Sequence, residues 1–214
     1  VGASLFLAMF AAASACTDIT PSDNGDQGRP LVDQGPPLDL GDLGDMALPD
    51  LGHSFVSAHV RFTETGPAIG SLNVDAPDTE QWIYVDLDSR TEVMPADPLD
   101  DAVWDLAFRR FHVVLNGGAS GTGGVTAASV DHTVFEAVQP PAAGAFVTDT
   151  PDGDDEDTLP DYVISGGSDP WYAYDVTTHV LTPKARVFVV STTEGALVKV
   201  AIERYYDGAG GSGH

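Results

Sequence analysis

No stretch of the chain carries a sustained helical period with capping residues. Its apolar side chains fall instead in short runs rich in aromatic and β-branched residues, separated by glycines, prolines and acidic residues. That pattern restricts the chain to an all-β fold. Phe55–Phe62 has the composition of one strand and Trp82–Leu87 of another. Trp104–Leu115 (WDLAFRRFHVVL) is the longest run. Trp104, Leu106 and Phe108 share one face, whereas Phe111, Val113 and Leu115 have the opposite parity. A single strand with a bulge or strong twist near Arg109-Arg110 is expected, with a helix over 101–110 capped by Asp100-Asp101 as the competing reading. Val134–Val138 and Tyr162–Ile164 are shorter candidate strands, and Trp171–Val176 alternates aromatics with small or acidic residues. Arg186–Ser191 and Leu197–Tyr206 form a hairpin with Gly195 in its turn, Val198, Val200 and Ile202 facing in, and Lys199 and Glu203 facing out. A single antiparallel domain over 53–207, with its first strand near Ser54, and a short Gly-rich tail at 208–214 follow from these elements.

Charge narrows the function. The 214 residues include 33 Asp and Glu against 9 Lys and Arg, a net charge of -24. Nucleic-acid binding needs clustered cations to displace counterions, and a polybasic lipid contact needs the same, so both are excluded. The one cysteine excludes an internal disulfide framework and a cysteine-based zinc site.

That cysteine has a specific setting. The run Leu5–Phe10 is apolar but too short to span a bilayer, which takes about 20 residues. Small residues follow, and Ala13-Ser14-Ala15-Cys16 resembles a bacterial lipobox. The expectation is a signal peptide over 1–15, acylation of Cys16, and a lipid anchor as the only membrane attachment. Thr17 after the cysteine fits transfer to the outer membrane by resemblance to proteobacterial sorting rules. Residues 16–52 are low in complexity, dominated by Asp, Gly, Pro and Leu, and read as a disordered acidic tether.

Three features bear on chemistry. Asn116–Gly124 is Gly-rich, but no lysine or helix start follows it, so it reads as a loop between strands rather than a phosphate cradle. Asp149–Asp157 has oxygen ligands enough for calcium but lacks EF-hand spacing, and reads as a solvated acidic insertion. The six histidines are dispersed, and neither an HExxH zinc motif nor a GxSxG elbow occurs, so an enzyme is not expected. His179 stands out because it follows Trp171-Tyr172-Ala173-Tyr174, where an imidazole beside aromatics suits a flat apolar ligand.

Three stretches together resemble the HmuY-like family of secreted and lipid-anchored haem-binding proteins. They are Trp104–Phe111 with Leu115-Asn116-Gly117-Gly118, Trp82-x-Tyr84, and the hairpin from Arg186 through Glu194-Gly195 to Tyr205-Tyr206. Order and spacing agree from Val74 to Tyr206. The resemblance implies a single all-β domain, a haemophore-type role in iron acquisition and an outer-membrane haem transporter as partner. Founding members hold haem iron between two histidines. One lies in a loop matching Pro151–Pro160, which has no histidine here. The other falls near Val176, three residues before His179. The expected site is therefore His179 as iron ligand, Trp171, Tyr172 and Tyr174 against the macrocycle, and Lys184 and Arg186 toward the propionates. The alternative is a non-haem surface module on the same scaffold, binding protein or glycan.

Overall fold

The computed structural model describes residues 4–11, 54–66, 69–131, 134–153, 159–167 and 169–206. Among the described residues, thirteen strands form three antiparallel sheets. The largest has seven strands: β1 (Ser4–Ala11), β2 (Ser54–Val56), β3 (Val60–Gly66), β4 (Ile69–Asp75), β9 (Thr126–Asp131), β12 (Arg186–Ser191) and β13 (Leu197–Ile202), in the order β2-β3-β4-β1-β13-β12-β9. A four-stranded sheet runs β6 (Thr91–Val93), β5 (Ile83–Asp86), β7 (Leu106–Arg109), β8 (His112–Leu115). The third is a hairpin of β10 (Tyr172–Asp175) and β11 (Val180–Pro183).

The two larger sheets share one core. Val60, Phe62, Leu72, Val74, Phe188 and Val200 from the first pack with Ile83, Val85, Leu106, Phe108, Val113 and Leu115 from the second. β4 alternates as a strand with one buried face should, with Leu72 and Val74 inward. β12 is buried on both faces, which explains its unbroken apolar run. Phe188 and Val190 join the shared core, while Val187 and Val189 pack with Val138 beneath a single-turn 3₁₀ helix, Phe135–Ala137.

Several strand expectations change. Phe55–Phe62 is a hairpin rather than one strand, with Phe55 opposite Phe62. Trp104–Leu115 is also a hairpin. Arg109 pairs with His112, and Arg110 turns the chain at φ 54°. The parity switch marks that turn, not a bulge, and the helix over 101–110 does not form. Val134–Val138 contains the 3₁₀ turn, and Tyr162–Ile164 is a turn beside an isolated bridge at Asp161. The C-terminal hairpin forms with Gly195 in its turn at φ 83°, but its second strand ends at Ile202 rather than Tyr206. Lys199 does face the outer side of its sheet, yet it is only 8% exposed because the 3₁₀ turn covers it. Its ammonium donates to the carbonyls of Phe135, Glu136 and Val138.

The segment expected as the leader's apolar core is strand β1, paired with β4 and β13. Cys16, the tether and the tail lie outside the described residues.

Asp105, Asn116 and Asp149 are buried polar side chains that hold loops. Asp105 accepts the N–H groups of Leu87 and Thr193. The Asn116 amide donates to the carbonyls of Asp101 and Trp104 and accepts from the Gly123 N–H. Glycine is required around it, since a Cβ at Gly121 would strike the Asn116 side chain. Asp149 accepts from Leu115, Val163 and the Ser120 hydroxyl. It is 1% exposed, so it is a structural anchor rather than part of a solvated insertion. Residues 154–158 of the acidic run lie outside the described residues.

Candidate functional site

The β10–β11 hairpin is built around Asp175. Its Oδ1 accepts the N–H groups of Thr177 and Thr178, and these bonds hold the carboxyl below its usual range. The chain returns at His179, whose N–H donates to the Asp175 carbonyl and whose φ is 57°. Histidine is among the side chains enriched in this left-handed region. The Tyr174 hydroxyl lies 2.5 Å from His179 Nδ1, with the ring centroids 6.0 Å apart. Tyr174 is 49% exposed and Val176 75%, and His179 is exposed beside them. The tip of the hairpin thus presents a tyrosine–histidine pair and an apolar side chain to solvent.

The other expected site residues lie deeper. Trp171 is 1% exposed and its indole N–H donates to the Phe111 carbonyl. Tyr172 is half-buried, edge-on to Trp171 and Phe111, and burial raises its phenol pKa. Both support the hairpin from below. Lys184 and Arg186 stand at its base, but Asp169 engages both. Lys184 Nζ lies 2.6 Å from Asp169 Oδ1, and Arg186 Nη2 lies 2.5 Å from Asp169 Oδ2. Arg186 also binds Asp131 and the Asp169 carbonyl. The arginine, followed by the lysine, depresses the Asp169 carboxyl to about 2. The structure places Tyr174 and His179 together at the tip, Trp171 and Tyr172 beneath them and Lys184 and Arg186 at the base, and adds Asp169, which sequence reasoning missed.

It also missed the reach of the aromatic cluster. Ring contacts, most of them edge-on, run from Tyr172 through Phe111 and His112 to Tyr162 and Trp82, and in the other direction through Trp171 to Tyr205 and Tyr206. Arg109 caps the far end, 4.3 Å from the Trp82 ring centre. The neighbouring Phe111-His112 pair was the available clue. Of the two histidines expected in strands, His59 lies instead in the β2–β3 turn, where it pairs with Glu92 at 3.0 Å, whereas His112 does open strand β8 and has its ring 4.2 Å from that of Phe111.

Two other features contrast with the hairpin. A cavity of about 240 Å³ lies on the outer face of the seven-stranded sheet, lined by Ile69, Phe135, Val138, Leu197 and Lys199 among others. Sites for drug-sized ligands run about 300–1,000 Å³, so it is too small for a porphyrin. Oxygens of Asp86, Asp88 and Asp105 also converge within 4.8 Å. An all-carboxylate set suits a hard cation rather than haem iron.

The fold defines an all-β protein of two facing antiparallel sheets with a projecting aromatic hairpin. The family profile described as HmuY protein matches residues 78–165, which supports assigning the chain to an HmuY-like family. The matched stretch, less than half the chain, contains Asp105, Asn116 and Asp149 and stops before the β10–β11 hairpin. No curated protein matches the chain.

Proposed function

We propose that this chain is a lipid-anchored surface protein that binds haem, or a related porphyrin, through the β10–β11 hairpin and passes it to an outer-membrane transporter. The Tyr174–His179 pair carries the reading. With the imidazole proton on Nδ1, His179 donates to the Tyr174 oxygen and leaves the Nε2 lone pair free for iron. A hydrogen-bonded partner on the other ring nitrogen fixes the tautomer and orientation of a ligating histidine. Val176 and the exposed face of Tyr174 supply apolar surface for the macrocycle. Lys184 and Arg186 reach propionates only by exchanging them for Asp169, and the acidic surface repels the same groups. Binding by one imidazole is therefore weaker than bis-histidine ligation, and added salt strengthens it.

Haem titration followed by the Soret band tests this. The expected product is high-spin or mixed-spin ferric haem, with the shift lost in His179→Ala. A sharp low-spin bis-histidine spectrum, or a shift that survives His179→Ala, overturns the assignment. No shift at all favours a non-haem module that uses the exposed hairpin against protein or glycan.

A further inference from the structure

Among the described residues, β1 alone connects the two halves of the seven-stranded sheet. It pairs antiparallel with β4, from Ser4 opposite Asp75 to Phe10 opposite Ile69, and with β13, from Leu7 opposite Ile202 to Ala11 opposite Val198. β4 and β13 lie on opposite sides of it and are not paired with each other. Strands sit about 4.8 Å apart, so the edges of β4 and β13 stand roughly 10 Å from one another. Each edge presents backbone donors and acceptors that only an intervening strand satisfies.

We infer that the sheet contains a strand-acceptor slot between β4 and β13, filled here by the chain's own Ser4–Ala11, and that removing this segment opens the slot to an extended, uncharged apolar strand. The walls define that occupant. Leu72 and Val74 on one side and Val198, Val200 and Ile202 on the other are at most 5% exposed. They demand apolar side chains on alternate residues, while the two ladders demand a regular backbone without proline. Leu5–Phe10 meets both conditions in sequence, with no charge, proline or glycine. The opening of the slot rests on the proposed processing at Cys16, because one segment cannot be both a cleaved leader and a central strand. A processed protein then offers its partner a place in the sheet, by strand addition, separate from the hairpin tip.

The test uses the full chain carrying Cys16→Ser, folded with residues 1–15 in place, and a protease site inserted within 17–52. After nicking, the N-terminal fragment is expected to co-elute with the domain in gel filtration. Excess labelled peptide of residues 1–13 should displace it, and the same peptide with Leu7→Pro should not. Release of the fragment on nicking, with the unfolding midpoint unchanged, overturns the slot. The intact mass of the protein recovered from cells tests processing separately. Retention of residues 1–15 would refute processing and leave the nicking result to decide the slot.

Discussion

Asp105 Oδ1 accepts the backbone N–H of Thr193 at 2.7 Å, joining the start of β7 to the β12–β13 turn across 88 positions of sequence. The second oxygen takes the Leu87 N–H at 2.8 Å, so a single carboxylate ties the two sheets together. Asp105→Ala leaves both donors without a partner. A buried unsatisfied group costs about 1–3 kcal/mol, and the variant is expected to lose about 2–5 kcal/mol in urea unfolding. A loss below about 0.5 kcal/mol would show that water replaces the carboxylate.

The carboxyls that hold the fold respond to acid in opposite directions. Burial raises the pKa of Asp105 and Asp149 above 3.8, so their folded forms bind protons more tightly than the unfolded chain does. Their contribution to stability weakens as pH rises from the unfolded value through the folded one. Asp169 is lowered from 3.8 to about 2, so its contribution is present above 3.8 and lost as pH falls toward 2. The difference in unfolding midpoint between wild type and Asp169→Asn should therefore shrink between about pH 4 and pH 2. A difference independent of pH would refute the ionic role of Asp169.

Lys199 holds the 3₁₀ turn over the outer face of the sheet. Lys199→Met keeps most of the aliphatic packing but removes the donor to the carbonyls of Phe135, Glu136 and Val138. A cost of about 1–3 kcal/mol is expected, with faster amide exchange at Ala137 and Val138. Unchanged exchange there would show that the turn is held by its apolar contacts alone.

His179 has a turn role as well as the proposed ligand role, and two substitutions separate them. At φ 57°, glycine is less strained than histidine, whereas alanine has no such relief. His179→Gly should leave the unfolding free energy within about 1 kcal/mol of wild type or above it. Both His179→Gly and His179→Ala should lose the Soret shift. A destabilised glycine variant would place the importance of His179 in its side-chain contact with Tyr174.

Cys16→Ser should release the protein from the membrane fraction. If the variant still fractionates with the outer membrane, the anchor lies elsewhere.

The hairpin at β10–β11 shows what a sequence conceals. Asp86 in the β5–β6 turn accepts the N–H groups of Asp88 and Ser89, and Arg90 follows at φ 61°. Asp175, Thr177, Thr178 and His179 repeat that arrangement, so DLDSR and DVTTH are the same turn with different side chains. Neither has a glycine or asparagine at the left-handed position, the usual marker. The same is true of Arg110, and its absence there made a hairpin read as one strand. Gly195 did mark its turn, and that hairpin was legible in its pairing and inward face, though its second strand ends at Ile202 rather than Tyr206. Short apolar runs such as Tyr162–Ile164 carry no period of their own, and burial alone does not distinguish a strand from a buried turn. In the candidate site the aromatic residues were legible because they are neighbours in sequence. Asp131 and Asp169 were not, since the ion pairs to Arg186 span 55 and 17 positions and no local pattern encodes them.

Pairing Leu7 with Ile202 sets a condition on when in folding the seven-stranded sheet can close. The sheet cannot be completed until β13 is available, almost at the end of synthesis. Contacts of such long sequence separation form slowly, because the chain between them must first be closed into a loop. Closure of the seven-stranded sheet therefore waits on the C-terminal hairpin, which acts as a timer for the first strand: until β13 is made, β1 has a partner on one side only.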